Sequence, residues 1–319
     1  MMKKSFFVLA ALAFCACSKS VENYSSEKDG EVVELNFSVP VKATKASGNV
    51  AEDAVERLQV FVFGKDGQVQ SSGISEENSL KLTCTTGEKQ IAAVVNASPL
   101  SGVNTLEQLQ TKMSDFGDNT LGGFVMSGLK PETLTASGSV TVPVSRLVSK
   151  VKLSSVTNSF LLSQHQAMDF RLVSVFLTNA PEQTGYFYAS QSNQMINDGV
   201  SDIDDIIADS GDLLYDELGD VAVAMGKTTE VDNFLYCYPN MKSVAGKPAY
   251  LVVQTRLGNG IYYYSVELPK MESNKCYSVS LTVTMPGSLT PDVPVKKEDA
   301  VFSVSVTDWA GNVDVDETI

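Results

Sequence analysis

EVVELNFSVPV, residues 31–41, sets apolar Val33, Leu35, Phe37, Val39 and Val41 at alternate positions, with Glu34, Asn36 and Ser38 between them. A period of two sends the two sets to opposite faces of an extended chain, so the stretch predicts a half-buried strand ending near Pro40. The same period spreads outward from it. ERLQVFVFGKDGQV (56–69) predicts a strand, a turn at Lys65–Asp66–Gly67 and the start of a partner strand. LKLTC (80–84), KQIAAVVNA (89–97), GSVTVPVSRLV (138–148) and SKVKLSSV (149–156) continue it. So do MDFRLVSVFLTNA (168–180), GYFYAS (185–190), AYLVVQTRL (249–257), GIYYYSVEL (260–268), CYSVSLTVTM (276–285) and AVFSVSVTDWA (300–310). Short strands at this density, punctuated by Gly, Pro and Asn, argue for an all-β protein of sandwiches rather than a parallel sheet. The chain's second half begins around Asn158.

Between the first two strands, VKATKASGNVAEDA (41–54) is small and polar and reads as an exposed loop. One helix is expected over Asn104–Phe116, where Leu106, Leu109, Met113 and Phe116 recur at helical spacing. The acidic stretch Asp202–Asp220 reads as a short helical or loop insertion. No repeat of solenoid length is present.

The opening MMKKSFFVLAALAFCACSKS fixes the compartment. Lys3 and Lys4 form a positive n-region, and Phe6–Phe14 an apolar stretch too short for a stop-transfer helix. Ala16 before Cys17 fits a bacterial lipoprotein signal, with a thioether-linked diacylglycerol and an added acyl chain such as palmitate on Cys17. Cys15 fits less well because bulky Phe14 lies immediately before it; a plain secretory signal is the other reading. Several acyl chains supply the anchoring that a single chain does not.

The formal charge is -14 over 319 residues, and removing residues 1–17 with Lys3 and Lys4 makes it -16. An acidic surface of this size argues against nucleic acid as a partner and against adsorption to anionic lipid. Beyond Cys15 and Cys17 only Cys84, Cys237 and Cys276 remain, an odd number that allows at most one internal bridge. Cys237 and Cys276 are the pair that could meet, and buried free thiols are the preferred reading.

No catalytic constellation emerges, and no cofactor is called for. His165 is the single histidine, which excludes a multi-His zinc site and leaves a Ser-His-Asp triad unsupported. Leu121–Gly122–Gly123–Phe124 is a turn signal without the following lysine of a phosphate loop. Asp202, Asp204, Asp205, Asp209 and Asp212 lack the spacing of a calcium loop and read as a solvated face. Tyr262, Tyr263 and Tyr264 could stack on sugars, but tyrosines in a strand usually pack on both faces. Trp309, the sole tryptophan, reads as core or interface.

The lipoprotein signal, ERLQVFVFGKDGQ (56–68) followed by KQIAAVVNAS (89–98), VSRLVSKVKLSSV (144–156), and NKCYSVSLTVTMPGSLTPDVPV (274–295) with VFSVSVTDWAGN (301–312) together resemble a fimbrillin. This is the major fimbrial subunit family, the type V pilins of Bacteroidetes. The resemblance implies two transthyretin-like β-sandwich domains with a short helix or helices in loops. It divides the chain into a signal (1–17), a propeptide with a removable first strand (18–45), an N-terminal sandwich (46–157) and a C-terminal sandwich (158–319).

It further implies that a trypsin-like protease removes the first strand, Val32 to Val41 with apolar Val33, Leu35, Phe37, Val39 and Val41, and that a strand of a neighbouring subunit fills the groove. The cut is expected between Lys45 and Ala46, with Lys42 and Ala43 second. Family members more typically offer an Arg, and here Arg57 lies inside the next strand; an Arg-specific enzyme would not cut at Lys45. Residues 301–319 are the expected donor, with Phe302, Val304, Val306, Trp309, Val313 and Val315 as its apolar stripe. Residues 18–45 hold four lysines and five acids, so the assembled subunit would carry -15.

Five apolar side chains at about 1.5–3 kcal/mol each make the loss of the first strand cost on the order of 10 kcal/mol. That is the size of a whole domain's stability, roughly 5–15 kcal/mol, so the vacancy demands a replacement. Strand addition supplies one, and its heterologous contact builds open filaments. The expected partners are copies of the chain, accessory fimbrial subunits, the protease and, through the lipid before assembly, the outer membrane. A surface fimbrium supporting adhesion is the implied setting, with a stem role favoured over tip or anchor. The competing readings are a monomeric lipoprotein in which the first strand stays as an edge strand, and a surface glycan-binding lipoprotein with an exposed aromatic platform.

Overall fold

A computed structural model describes residues 30–40, 52–187, 190–206, 213–241 and 247–309. The first half runs through β1 (Val32–Ser38), β2 (Leu58–Phe63), β3 (Val69–Ser75), β4 (Ser79–Thr85), β5 (Gly87–Val95), β6 (Met113–Asp115), β7 (Met126–Leu134), β8 (Gly138–Thr141) and β9 (Ser145–Arg146). One sheet has the order β3-β2-β5-β7-β9, and a smaller one, β4-β1-β8, lies across it. The alternation of β1 explains the packing: Val33, Leu35 and Phe37 meet Leu80 and Leu82 of β4 and Val60 and Val62 of β2 in one core.

β2, LQVFVF, is buried at all six positions because both of its faces are covered. On the outward face Phe61 and Phe63 stack with centroids 6.3 Å apart and pack with Leu109 of α1 (Leu106–Gln110). Gln59 on that face is fully buried, yet its amide donates to the carbonyls of Ala97 and Ser98 and accepts from the Leu100 N–H at 2.8 Å. The turn after β2 is the expected one. Gly67 sits at φ +76°, and the Asp66 carboxylate accepts from the Gln68 N–H at 2.9 Å.

The helix is shorter than its spacing predicts. Thr105 caps it by accepting from the Gln108 N–H, and Thr111 ends it after five residues. Met113–Asp115 then turns into β6, because β13 (Gln183–Gly185) offers its backbone partners; Phe116 begins a separate 3-10 turn, Phe116–Asp118. The helical spacing of apolar residues is divided among three short elements, a helix, a strand and a 3-10 turn, instead of one helix.

The second half holds β10 (Ser149–Asn158), α2 (Ser163–Gln166), β11 (Phe170–Thr178), β12 (Ala180–Pro181), β13, β14 (Met195–Ile196), β15 (Tyr215–Ala222), β16 (Thr228–Glu230), β17 (Leu235–Cys237), β18 (Tyr250–Leu257), β19 (Gly260–Glu267), β20 (Lys275–Val283) and β21 (Ala300–Asp308). One sheet runs β16-β10-β20-β21, with β17 also on β10, and the other β15-β11-β18-β19. Leu153 and Val156 of β10 pack with Leu172 of β11, Leu251 of β18 and Val279 of β20 between them. β10, which the sequence division puts at the end of the first unit, pairs with β16, β17 and β20 of the second. The fold is all-β, as read from the sequence, with two parallel pairings, β1–β8 and β10–β20, inside otherwise antiparallel sheets.

β7 and the chain leading into β9 approach so closely at Gly128 that an added Cβ would overlap the carbonyl oxygen of Pro143. Gly128→Ala should therefore cost about 2–3 kcal/mol through overpacking. The check is a lower urea midpoint at unchanged m-value; an unchanged midpoint would mean that residues 143–144 yield freely.

Candidate functional site

β1 is the middle strand of its sheet. Gly30, at φ +65°, turns the chain into it, and the Glu31 N–H donates to Thr86 Oγ1 at 3.0 Å. From Val32 to Ser38 it pairs antiparallel with β4, and from Leu35 to Ser38 it also pairs parallel with β8. The ladders extend past its end, with the Val39 N–H on the Asn78 carbonyl at 3.0 Å and the Val142 N–H on the Ser38 carbonyl at 2.9 Å. Val33, Leu35, Phe37 and Val39 are all buried, as their alternation predicts. This overturns the reading of an ordinary edge strand. Taking β1 away would strip a partner from both β4 and β8 and open a trough floored by Leu82, Val60 and Val140. Cys84 of β4, directly opposite Val33, would line it; burial pushes that thiol up to about 11.

The other half of the predicted site lies at a sheet edge. β21 pairs with β20 along its full length, Val283–Ala300 to Lys275–Asp308, and among the described residues no strand lies on its far side. Val301 is 62% exposed, Phe302 38% and Val306 49%; of the expected stripe's residues within β21, Val304 alone packs partly against the core. β21 is thus held by its backbone ladder far more than by its side chains.

Trp309, just beyond it, is the opposite case, 3% exposed. Its indole stacks on Tyr236 at 5.6 Å between centroids, meets Phe124 edge-on at 5.7 Å and lies 4.4 Å under the Arg146 guanidinium. Its Nε1–H donates to Glu52 Oε2 at 2.8 Å. Glu52 Oε1 accepts from Lys150 Nζ at 2.6 Å and from the Tyr236 hydroxyl at 2.7 Å. Arg146 donates to the Glu52 carbonyl at 3.2 Å and to Asn274 Oδ1 at 3.0 Å, and pairs with Asp53. Burial pushes the Glu52 carboxyl up, but the hydrogen bonds from Lys150 and Tyr236, the Lys150 charge and the Trp309 bond outweigh it and hold the group below the usual carboxylate range. Burial and the Glu52 carboxylate push the Tyr236 hydroxyl well above its ordinary value.

This cluster corrects the end of the stretch 41–54 read as an exposed loop, since Glu52 is buried; residues 41–51 lie outside the described residues. Ala-Glu-Asp carries no signal that would have revealed it: a carboxylate in a small polar stretch is most often solvated. Lys150 gave no signal either, standing in a strand beside other lysines.

The remaining expectations fall as follows. Cys17, Val41, Lys42, Ala43, Lys45, Ala46, Val313 and Val315 lie outside the described residues, as do Asp209 and Asp212. Cys84, Cys237 and Cys276 are free. Tyr264 is buried and donates to the Met285 carbonyl at 2.7 Å, while Tyr263 packs on the opposite face with Phe176 and Val252. His165 sits on α2 and packs edge-on against Phe160 at 5.9 Å. Asp202 caps the 3-10 turn Ile203–Asp205 by accepting from the Asp204 N–H. Among the described residues no group of three or more His, Cys, Asp or Glu is placed to hold a metal. A cleft of about 360 Å³ beside Arg146 and Lys270 is walled by Tyr186 and Phe187, the former buried and the latter half-buried.

Residues 33–159 match the family model for the major fimbrial subunit protein (FimA), from the second residue of β1 to just past the end of β10. This region is similar to the major fimbrial subunit family. The match takes in the whole slot of β1, with β4 and β8 on either side. No curated protein matches the chain. Among solved structures, a candidate cell adhesion protein of Bacteroides eggerthii is 19% identical, with a TM-score of 0.66 over 88% of this chain and 97% of its own. A fimbrilin of Porphyromonas gingivalis is 15% identical, with a TM-score of 0.59 over 87% and 97%. A candidate cell adhesion protein of Parabacteroides distasonis is 16% identical, with a TM-score of 0.61 over 88% and 98%. At these identities the likeness is one of fold alone, and it spans both halves of the chain.

Proposed function

We propose that the chain is a structural pilin, a stem subunit of surface fimbriae that supports adhesion and polymerises by donor-strand exchange. The observation that carries this reading is the position of β1, buried on one face and hydrogen-bonded on both edges, so that its loss leaves a slot only another strand can fill. The edge strand β21 with the tail to Ile319 is the donor, and the slot of the next subunit is its destination. The chain is exported as a lipoprotein anchored at Cys17 in the outer membrane and is matured by a trypsin-like protease between Lys45 and Ala46, with Lys42–Ala43 as the second choice. It folds as two units that the sequence divides at 157/158, with β10 lending its strand pairing to the second, and assembles with its own copies and with accessory subunits. Its role is structural and not enzymatic.

The glycan-binding alternative needs an exposed aromatic platform. Among the described residues Phe302 is the one aromatic side chain that stands exposed, and the single tryptophan is buried. That leaves the pilin reading ahead.

Limited trypsin treatment of the chain from Ser18, followed by an unboiled denaturing gel and N-terminal sequencing, tests the reading. A new terminus at Ala46 or Ala43 with a ladder of heat-sensitive multimers is expected. Deleting residues 301–319 should keep the cut and abolish the ladder. A resistant monomer, or clipping without assembly, favours a tip, an anchor or the glycan-binding alternative, and a ladder from the truncated chain removes the tail as donor.

A further inference from the structure

β21 has an uneven grip on its own subunit. Along Val301–Asp308 its side chains are exposed on both faces apart from Val304, so little apolar burial opposes its departure. Its backbone ladder to β20 is the main hold, and a ladder at a sheet edge exchanges protein partners for water or for another strand at small net cost. At the strand's C-terminal end the situation reverses. The Trp309 ring is enclosed by Phe124, Tyr236 and Arg146, and its N–H donor is taken by a carboxylate that also holds Lys150. The backbone N–H of Trp309 adds a bond to the Asn274 carbonyl at 3.2 Å. The cage draws on both halves of the molecule: Glu52, Phe124 and Arg146 precede β10, while Tyr236 and Asn274 follow it.

We propose that Trp309 in this cage is a latch that keeps β21 docked on its own subunit, and that Glu52 is the residue that positions it. Before β21 can leave, Trp309 must withdraw from the cage, breaking the Nε1–H bond to Glu52 and uncovering the ring. The latch therefore sets how often β21 is free, whereas the ladder sets where it sits when docked. Glu52 stands seven residues after Lys45, so the proposed cut falls close in sequence to the carboxylate that fastens the far end of the chain. The consequence for assembly rests on the pilin reading, but the latch itself is a property of the single subunit.

Hydrogen exchange of the uncut full chain tests it. Trp309→Phe keeps an aromatic ring in the cage and removes only the donor to Glu52; Glu52→Gln keeps the shape and removes the charge. In both, exchange of the 301–308 amides should rise at least tenfold more than exchange of the β1 and β18 amides, whose rise follows the variant's global loss of stability. Unchanged exchange over 301–308 in Trp309→Phe overturns the latch. So does an equal rise in β18, which would make Trp309 one more core residue whose loss loosens the whole sandwich. Because exchange is read before any cut, a chain that never polymerises would defeat the pilin reading and leave this result standing.

Discussion

A chain that begins at Ala46, and so lacks β1, will expose Cys84 to alkylation at least a hundredfold faster than the intact chain, and a peptide of residues 31–41 added in trans will protect it again. Cys84 is 3% exposed and faces Val33 across the β1–β4 ladder. Its thiol is held protonated by burial, so removing β1 raises both its access to water and its reactive thiolate fraction. Cys237 is fully buried in the other core, where burial pushes its thiol up to about 12, and serves as the internal control. Cys276, half-buried, is replaced by serine to keep the signal clean. Four buried side chains at about 1.5–3 kcal/mol each leave enough, after the cost of association, for the peptide to bind at micromolar concentration or better. Mass spectrometry of the labelled thiols reads the result. Continued protection of Cys84 without β1 would show that β4 and β8 close on each other, and donor-strand exchange would then have no slot to use.

Replacing Glu52 by alanine should cost about 3–5 kcal/mol, the size expected when one partner of a buried charge network is removed and the others stay behind. Lys150 and Arg146 are both nearly inaccessible, and Glu52 is the carboxylate that Lys150 touches. Arg146 retains Asp53, so the deficit falls mainly on Lys150, and Lys150→Met added to Glu52→Gln should recover much of the loss. The groups facing the Glu52 carboxyl are Lys150, Tyr236 and Trp309, with the Arg146 guanidinium against its backbone. These hold its folded pKa below the unfolded one. The contribution is therefore complete above the ordinary carboxylate range, about pH 4–5, and is lost as pH falls through the lowered folded value. Urea midpoints should show a constant gap between the parent and Glu52→Gln at pH 6 to 8, narrowing on acidification below about pH 4. A gap that widened in acid would mean that Glu52 is destabilised by its burial and that the network does not compensate.

Alternation made the strands legible. A buried face and a solvated face leave a period-two signature, and β1, β4 and β20 each carry it. Position within a sheet did not show, because β1 finds one neighbour at residues 79–85 and the other at 138–141, and nothing local to EVVELNFS encodes either. The double coverage of β2 was similarly hidden: LQVFVF is apolar apart from Gln59, but nothing in it says that the helix expected near residues 104–116 would pack over Phe61 and Phe63. The Trp309 cage was half legible. A lone tryptophan after a strand announces burial, whereas its acceptor lies 257 residues away in a segment that looks like loop.

The two strands also differ in how they resist force. Tension along β1, which is paired in register on both sides, loads seven antiparallel and four parallel positions at once, so the strand yields only when both ladders shear together. β21, bonded on one side, can be peeled from its end one pair at a time once Trp309 has let go. A strand that is easy to lift from an edge and hard to drag from a slot makes a joint that forms readily and outlasts mechanical load, because lifetime under tension is governed by the rate of rupture.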